Sequence, residues 1–262
     1  MIKKIILFIF VIIGIISYSK TLLVLGGGGA AGAYEIGVLR YIVEKNIKID
    51  GVYGVSAGAL NGAGFVMGRL DEIEELWTSM KKEDIFDFDP FNHAPNLKPF
   101  ILDPTPLYTF LKGYISEEEI LKSPIDYGIL TFNLDKFKVV FLKKEDMKEH
   151  MVDYIFASAS YPLFGAIEID GKKYTDGGVF SNVYPALLAE KYGYDRMIAV
   201  FPVINSPADL VFKIMLDMKK SENMVIITPS GNVPSPMNFS PEDAKRLIKM
   251  GYMDAKRNLK NW

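Results

Sequence analysis

The chain has 262 residues, 49% hydrophobic and 24% charged, which is enough for one sizeable core and suits a single domain better than two. A formal net charge of -2, with Lys and Arg spread along the chain, gives no electrostatic ground for a nucleic-acid partner. Cysteine is absent, which excludes disulfides, thiolate metal sites, a cysteine nucleophile and a lipidated N-terminal Cys.

Lys3 and Lys4, the apolar run Ile5 to Ile16 and the small-residue pattern Ser17-Tyr18-Ser19 form the three parts of a secretory signal. The expectation is a signal peptide over residues 1–19, cleavage after Ser19, a secreted or periplasmic location, and one domain over residues 20–262. A retained N-terminal membrane anchor is the alternative, but the apolar run has about twelve residues where a spanning helix needs roughly 20.

From Thr21 onward, apolar runs alternate with helical periodicity, the pattern of a parallel α/β sheet. Thr21 to Leu25 reads as a strand, followed by a glycine run. Ile36, Leu39, Ile42 and Val43 then mark one apolar face of a helix. Gly51 to Val55 is the second strand; Ala57 to Met67, rich in small residues, and the more charged Asp71 to Lys82 are helices. Between Asp84 and Ser116 the character changes, with Pro90, Pro95, Pro99, Pro104 and Pro106 interleaved with Phe86, Phe88, Phe91, Phe100 and Tyr108. This stretch is expected to be irregular, with a short helix starting at Thr105-Pro106, and to line or cover a binding entrance or pack as a satellite core. Tyr127 to Phe132 and Phe137 to Leu142 flank a turn at Asn133 to Lys136. Asp170-Gly171 marks a hairpin between Ala166–Ile169 and Lys172–Thr175. Arg196 to Val203 and Met224 to Thr228 read as later core strands, and Pro241 to Leu259 as a terminal helix with Lys and Arg toward its end.

Three motifs carry chemistry. Gly54-Val55-Ser56-Ala57-Gly58 is a G-x-S-x-G between a predicted strand and a predicted helix, the setting in which a serine is held at a strained turn with its hydroxyl exposed. The run Gly26 to Gly29 with Gly32 contains G-x-G-x-x-G at Gly27, Gly29 and Gly32. By itself this reads as a dinucleotide fingerprint, but the next strand ends in Val55-Ser56 rather than in an acidic residue for a ribose. A backbone loop opening a helix can equally supply N–H donors to an oxyanion. The third motif, Asp176-Gly177-Gly178, is taken alone only a turn; it follows Phe156-Ala157-Ser158-Ala159-Ser160-Tyr161-Pro162 and lies about 120 residues beyond Ser56.

In this order and spelling the three motifs resemble the patatin-like phospholipase family, over Thr21 to about Pro185. The resemblance implies a three-layer α/β/α fold with a mainly parallel central sheet and the nucleophile at its edge crevice. It implies Ser56 as nucleophile, Asp176 as the base of a Ser-Asp dyad, and Gly28, Gly29, Ala30 and Ala31 as the oxyanion loop, with Asn182 and Pro185 resembling the residues that follow the D-G-G. Ala31 stands where the family usually has Arg or Lys, and Pro185 lies one residue later than is common. The substrate it implies is a phospholipid, lysophospholipid or other acyl-ester lipid, met at a membrane or micelle surface. No cofactor is expected.

The two histidines bear on a rival reading. A Ser-Asp-His hydrolase triad needs a His after its acid, yet His93 sits in the Pro-rich stretch and His150 at the end of a charged helix, both before Asp176. So distant a pair also makes a poor metal site, and no catalytic metal is expected. A nucleotide-binding oxidoreductase using the Gly27 loop and a non-catalytic protein of the same shape remain alternatives, and the sequence leaves the oligomeric state open.

Overall fold

The computed structural model describes residues 19–87, 96–98, 100–204, 206–219 and 221–262. The expected signal segment, except Ser19, lies outside these residues, as do Phe88, Pro90, Phe91, His93, Pro95 and Pro99. No helix among the described residues is long and apolar enough to cross a membrane.

The first strand, β1 (Thr21–Leu25), is buried on both faces, as its unbroken apolar run requires. It pairs in parallel with β2 (Gly51–Val55) on one side and β8 (Arg196–Val200) on the other. Two further parallel pairings extend this half of the sheet, β2 with β4 (Asp126–Asn133) and β8 with β9 (Met224–Ile227). The other half is antiparallel: β4 with β5 (Lys138–Lys143) and β7 (Lys172–Asp176), β7 with β6 (Ala166–Ile169), and β6 with the short β3 (Leu97–Lys98). The parallel character thus holds for the strands that carry the first two motifs, while the two hairpins make the sheet mixed. β8 stops at Val200, short of the expected Val203, where Pro202 has no N–H to continue the ladder.

Alternate residues of β1 feed two cores. Leu23 and Leu25 face the core built with α1 (Ala33–Glu44), α2 (Ala57–Val66), α3 (Leu70–Ser79) and α8 (Pro241–Asn258). Leu22 and Val24 face a smaller one with Val183, Ala186 and Leu216, the last from α7 (Pro207–Met218). Helices therefore cover both faces of the sheet, giving three layers. On α1, Ile36, Leu39 and Ile42 are buried as expected, whereas Val43 in the last turn is half exposed.

Within Asp84–Ser116 the helix α4 (Thr105–Tyr114) starts where Thr105-Pro106 predicts. Phe86 is buried against the Phe164 ring, while Phe100 is 71% exposed. The adjoining α5 (Glu117–Lys122) is capped by the Ser116 hydroxyl. His150 does not end a charged helix. The run Lys144–Met147 is a single 3-10 turn closed by the Asp146 carboxylate on the Lys143 amide, and His150 instead N-caps α6 (Met151–Ala159).

The sheet register brings two distant motifs together. Along β4, Leu130 pairs with Val55 and Thr131 with Asp176, while β5 occupies the other edge from Gly128 to Asn133. β2 and β7 therefore abut end to end on one edge of β4. The residue leaving β2 and the residue ending β7 face each other across that junction. They are Ser56 and Asp176.

Candidate active site

Ser56 joins β2 to α2 with φ 55° and ψ -128°, a backbone region that L residues rarely occupy and that persists only where its surroundings enforce it. Two features enforce it here. A Cβ on Gly58 would overlap the Leu25 carbonyl, and one on Gly54 would overlap the backbone of Gly58 and Ala59, so the motif's outer glycines let strand and helix close on each other. The Ser56 amide also donates to the Ser158 hydroxyl at 3.1 Å, and that hydroxyl donates to the Leu130 carbonyl at 2.7 Å.

The Ser56 hydroxyl donates to Asp176 Oδ2 at 2.7 Å. Asp176 is held on both sides: its amide donates to the Ser160 carbonyl at 3.0 Å, and its Oδ1 accepts the Gly178 amide at 2.6 Å. Gly177 and Gly178 form the turn that follows, so the D-G-G places one carboxylate oxygen on the backbone and frees the other for the serine. Burial pushes the Asp176 carboxyl from 3.8 up to about 7, against the hydrogen bonds from Ser56 and Gly178 that favour the carboxylate. A general base works best at such a value.

The glycine loop lies beside this pair. Gly27 donates its amide to Asn182 Oδ1 at 3.2 Å, and Gly29 takes φ 52° where its backbone meets the Pro236 carbonyl. Of the four expected oxyanion donors, two are engaged: Ala30 N–H on the Pro236 carbonyl at 2.8 Å and Ala31 N–H on the Gly28 carbonyl at 3.0 Å, within the 3-10 turn Gly29–Gly32. The amides of Gly28 and Gly29 make no hydrogen bond among the described residues. Ala57 N–H, first of α2, has no carbonyl one turn earlier in its own helix. Gly28 and Gly29 line one cavity with Ser56 and Ala57 lines the other with it, while Ala31 is fully buried.

Two cavities meet at Ser56, sharing Gly29, Tyr161 and Pro236 in their walls. One is almost wholly apolar, lined by side chains that include Leu60, Trp77, Leu107, Phe110 and Phe239. The other carries Asp176, Gly178, Val179 and Asn182. An apolar pocket with a few convergent polar groups is the usual form of a small-molecule or lipid site.

Several contributors carried no signal recognised in the sequence. Ser158 pins the nucleophile's backbone, although its hydroxyl sits in the A-S-x-A-S-x-P stretch that drew attention for spelling alone. Asp209, fully buried, accepts from the Ser181 hydroxyl at 2.7 Å and the Asn182 amide at 2.8 Å, and so sets the residue that holds Gly27. The spacing Ser206-x-x-Asp209, which forms a capping box on α7, was its legible trace. Glu35, fully buried, accepts from Asn61 Nδ2 at 2.8 Å, and Asn61 also donates to the Gly32 carbonyl at 3.0 Å and accepts from Trp77 at 2.8 Å. Burial holds the Glu35 carboxyl well above the usual carboxylate range.

The rival assignments find other surroundings. His150 lies against Asp153 and Asp170, at 3.4 and 3.2 Å, and lines neither cavity. Asp50 sits at the far end of β2 from the glycine loop and accepts the Thr21 amide at 2.9 Å, while the position of a ribose-binding carboxylate is taken by Ser56.

Comparison with known proteins gives the same family as the motif order. The family model for patatin-like phospholipase matches residues 23–189. An uncharacterized NTE family protein of Mycobacterium tuberculosis (strain ATCC 25618 / H37Rv), Rv1063c, is 29% identical over 175 residues, covering 66% of this chain and 46% of that protein. Lysophospholipase nte1 of Aspergillus terreus is 30% identical over 168 residues, 62% of this chain and 10% of that protein. The chain thus spans less than half the length of these curated relatives. Among solved structures, VipD from Legionella pneumophila superposes with a TM-score of 0.57 at 14% identity, covering 92% of this chain and 67% of that one. The type III effector protein ExoU gives 0.53 at 13%, covering 92% and 53%. At such identities the likeness is one of fold.

Proposed function

This chain belongs to the patatin-like phospholipase family, and from that premise and the contact between Ser56 and Asp176 we propose that it is a serine acyl hydrolase acting on phospholipid or lysophospholipid through a two-residue dyad. The observation that carries the reading is a strained, nearly buried serine whose hydroxyl donates at 2.7 Å to a buried carboxylate poised near neutral pH.

In this reading the acyl chain occupies the apolar cavity and the rest of the ester the polar one, which sets the ester carbonyl at their junction on Ser56. Asp176 takes the hydroxyl proton as Ser56 Oγ bonds to the carbonyl carbon, and the resulting oxyanion is met by the amides of Gly28, Gly29 and Ala57. Collapse of this intermediate breaks the ester C–O bond, and protonated Asp176 returns its proton to the departing alcohol. Water, deprotonated by the same carboxylate, then attacks the acyl-enzyme and releases the fatty acid. The test is fatty-acid release from lysophosphatidylcholine and phosphatidylcholine. Wild-type protein should release it and Ser56→Ala should not; no release by folded wild-type protein from either lipid would refute the proposal.

The enzyme meets its substrate at a lipid surface, and the Asp84–Ser116 stretch supports this in part: Ile85, Leu107 and Phe110 line the apolar cavity, while Phe100 and Ile101 project outward and Phe86 packs inward. Replacing Phe100 and Ile101 by Ser should lower activity on vesicles more than on a soluble short-chain ester, and equal losses would assign them to packing. Export rests on the Lys3-Lys4 and Ile5 to Ile16 pattern. Protein recovered from a secreting host should have a mass beginning at Lys20, and a mass retaining residues 1–19 would overturn cleavage.

A further inference from the structure

Outside the cleft, the fold does not account for the outer face of α7. Its inner face is ordinary: Asp209 and Leu216 are buried, and the Phe212 ring packs against Phe180 and Tyr184 at 5.7 and 5.5 Å. A helix covering a sheet normally turns polar residues to solvent. Here Leu210, Val211, Ile214, Met215 and Met218 are between 43% and 83% exposed. At the helical spacing they form one continuous arc, of about 140° at 100° per residue. None of the five is ionisable. A contiguous exposed apolar face of this kind marks an interaction site.

We propose that this face of α7 is seated in the surface of a lipid bilayer and holds the catalytic cleft against it, an inference that rests on the lipid hydrolase reading above. Two observations favour lipid as the occupant. The first is charge. The ions that border the arc are already paired within the chain, Lys213 with Asp217 at 2.7 Å and Lys219 with Glu190 at 2.9 Å. A protein partner's polar rim needs complementary groups, whereas the acyl boundary of a membrane needs only apolar area.

The second observation is continuity with the cleft. Val179, half exposed, lines the polar cavity at Ser56, and its neighbour Phe180 packs on Phe212 of α7. Asp209, in the first turn of α7, fixes Ser181 and Asn182, and Asn182 takes the amide of Gly27, the residue just before the oxyanion loop. The helix is thus tied by buried hydrogen bonds to the loop that receives the ester. A helix seated in lipid carries that loop with it.

The test uses sucrose-loaded phosphatidylcholine vesicles and the full chain carrying Ser56→Ala, so that the vesicles stay intact. Adding Ile214→Asp and Met218→Asp should lower the vesicle partition coefficient about tenfold or more, since binding scales with buried apolar area. The milder pair Leu210→Ser and Ile214→Ser should lower it in the same direction, which guards against an effect of misfolding. Val43→Asp, half exposed but on the opposite layer, should leave partitioning unchanged, and high salt should not release the wild-type chain. With Ser56 intact, the Ile214→Asp and Met218→Asp pair should hydrolyse a soluble short-chain ester at the wild-type rate while losing activity on vesicles. Unchanged partitioning in both α7 pairs would overturn the proposal. So would a wild-type dimer in solution that these pairs convert to monomer while vesicle binding persists, which would assign the face to a second copy. If wild-type protein hydrolysed neither ester yet the α7 pairs still lost vesicle binding, docking would stand and the hydrolase reading would fall.

Discussion

The pH dependence of turnover should follow Asp176. Burial sets its carboxyl at about 7 where an ordinary one titrates at 3.8, and only the carboxylate can accept the Ser56 proton. With a midpoint of about 7, roughly ten in eleven molecules carry the base at pH 8 and about one in eleven at pH 6, so kcat/KM should fall about tenfold between those values and a further tenfold per unit below. The same shift has a stability consequence of opposite use. Because the folded chain binds this proton more tightly than the unfolded chain, stability is greatest with Asp176 protonated and declines as pH rises from about 3.8 to about 7, by about 4 kcal/mol at 1.36 kcal/mol per unit. Asp176→Asn removes that decline. The assay is kcat/KM on a soluble short-chain ester from pH 5 to 9 at fixed ionic strength, with urea unfolding of wild type and Asp176→Asn at pH 5 and 8. The variant should gain stability relative to wild type at the higher pH while losing turnover by about 10² to 10⁴-fold, the range for loss of a general base. A flat rate profile from pH 6 to 8, a midpoint near 4, or identical pH dependence of unfolding in both proteins would refute the reasoning.

Two further outcomes follow from the site. The pair His93→Gln and His150→Gln should retain most activity; a folded double variant as inactive as Ser56→Ala would replace the dyad with a histidine-dependent mechanism. Ser158→Ala removes the acceptor of the Ser56 amide and the donor to Leu130, both buried, so kcat should fall with little change in KM and stability should drop by about 1–3 kcal/mol, read by steady-state kinetics and urea unfolding; a change confined to KM would argue against a role at the nucleophile's turn.

Much of this architecture is legible locally. The strands Thr21–Leu25 and Gly51–Val55 announce themselves as apolar runs, Asp170-Gly171 as a hairpin turn with both residues at positive φ, and the Ser56 turn by glycines placed where strand and helix converge. What the string does not display is which ends meet. That β2 and β7 share one edge of β4 depends on each pairing with β4, across separations of 75 and 45 residues, so in the sequence only the likeness of motif order links Ser56 to Asp176. The engagement of the Ala30 amide is hidden for the same reason: the Pro236 carbonyl reaches it from a distant loop. The helix α7 goes unread although Ser206-Pro207-Ala208-Asp209 spells a capped start and Asp209, Lys213 and Asp217 recur on one face of it. His150 misled in the opposite direction, since the charged residues before it belong to a turn that closes on its own carboxylate.

The central claim is that Ser56 is the nucleophile and Asp176 its base, and site-mapped labelling with a fluorophosphonate tests it most directly. Peptide mass spectrometry of the labelled wild-type protein should place the adduct on Ser56, no adduct should form in Ser56→Ala, and labelling of Asp176→Asn should be slowed about 10²-fold or more. An adduct on another residue, or labelling of Asp176→Asn at the wild-type rate, would contradict the account.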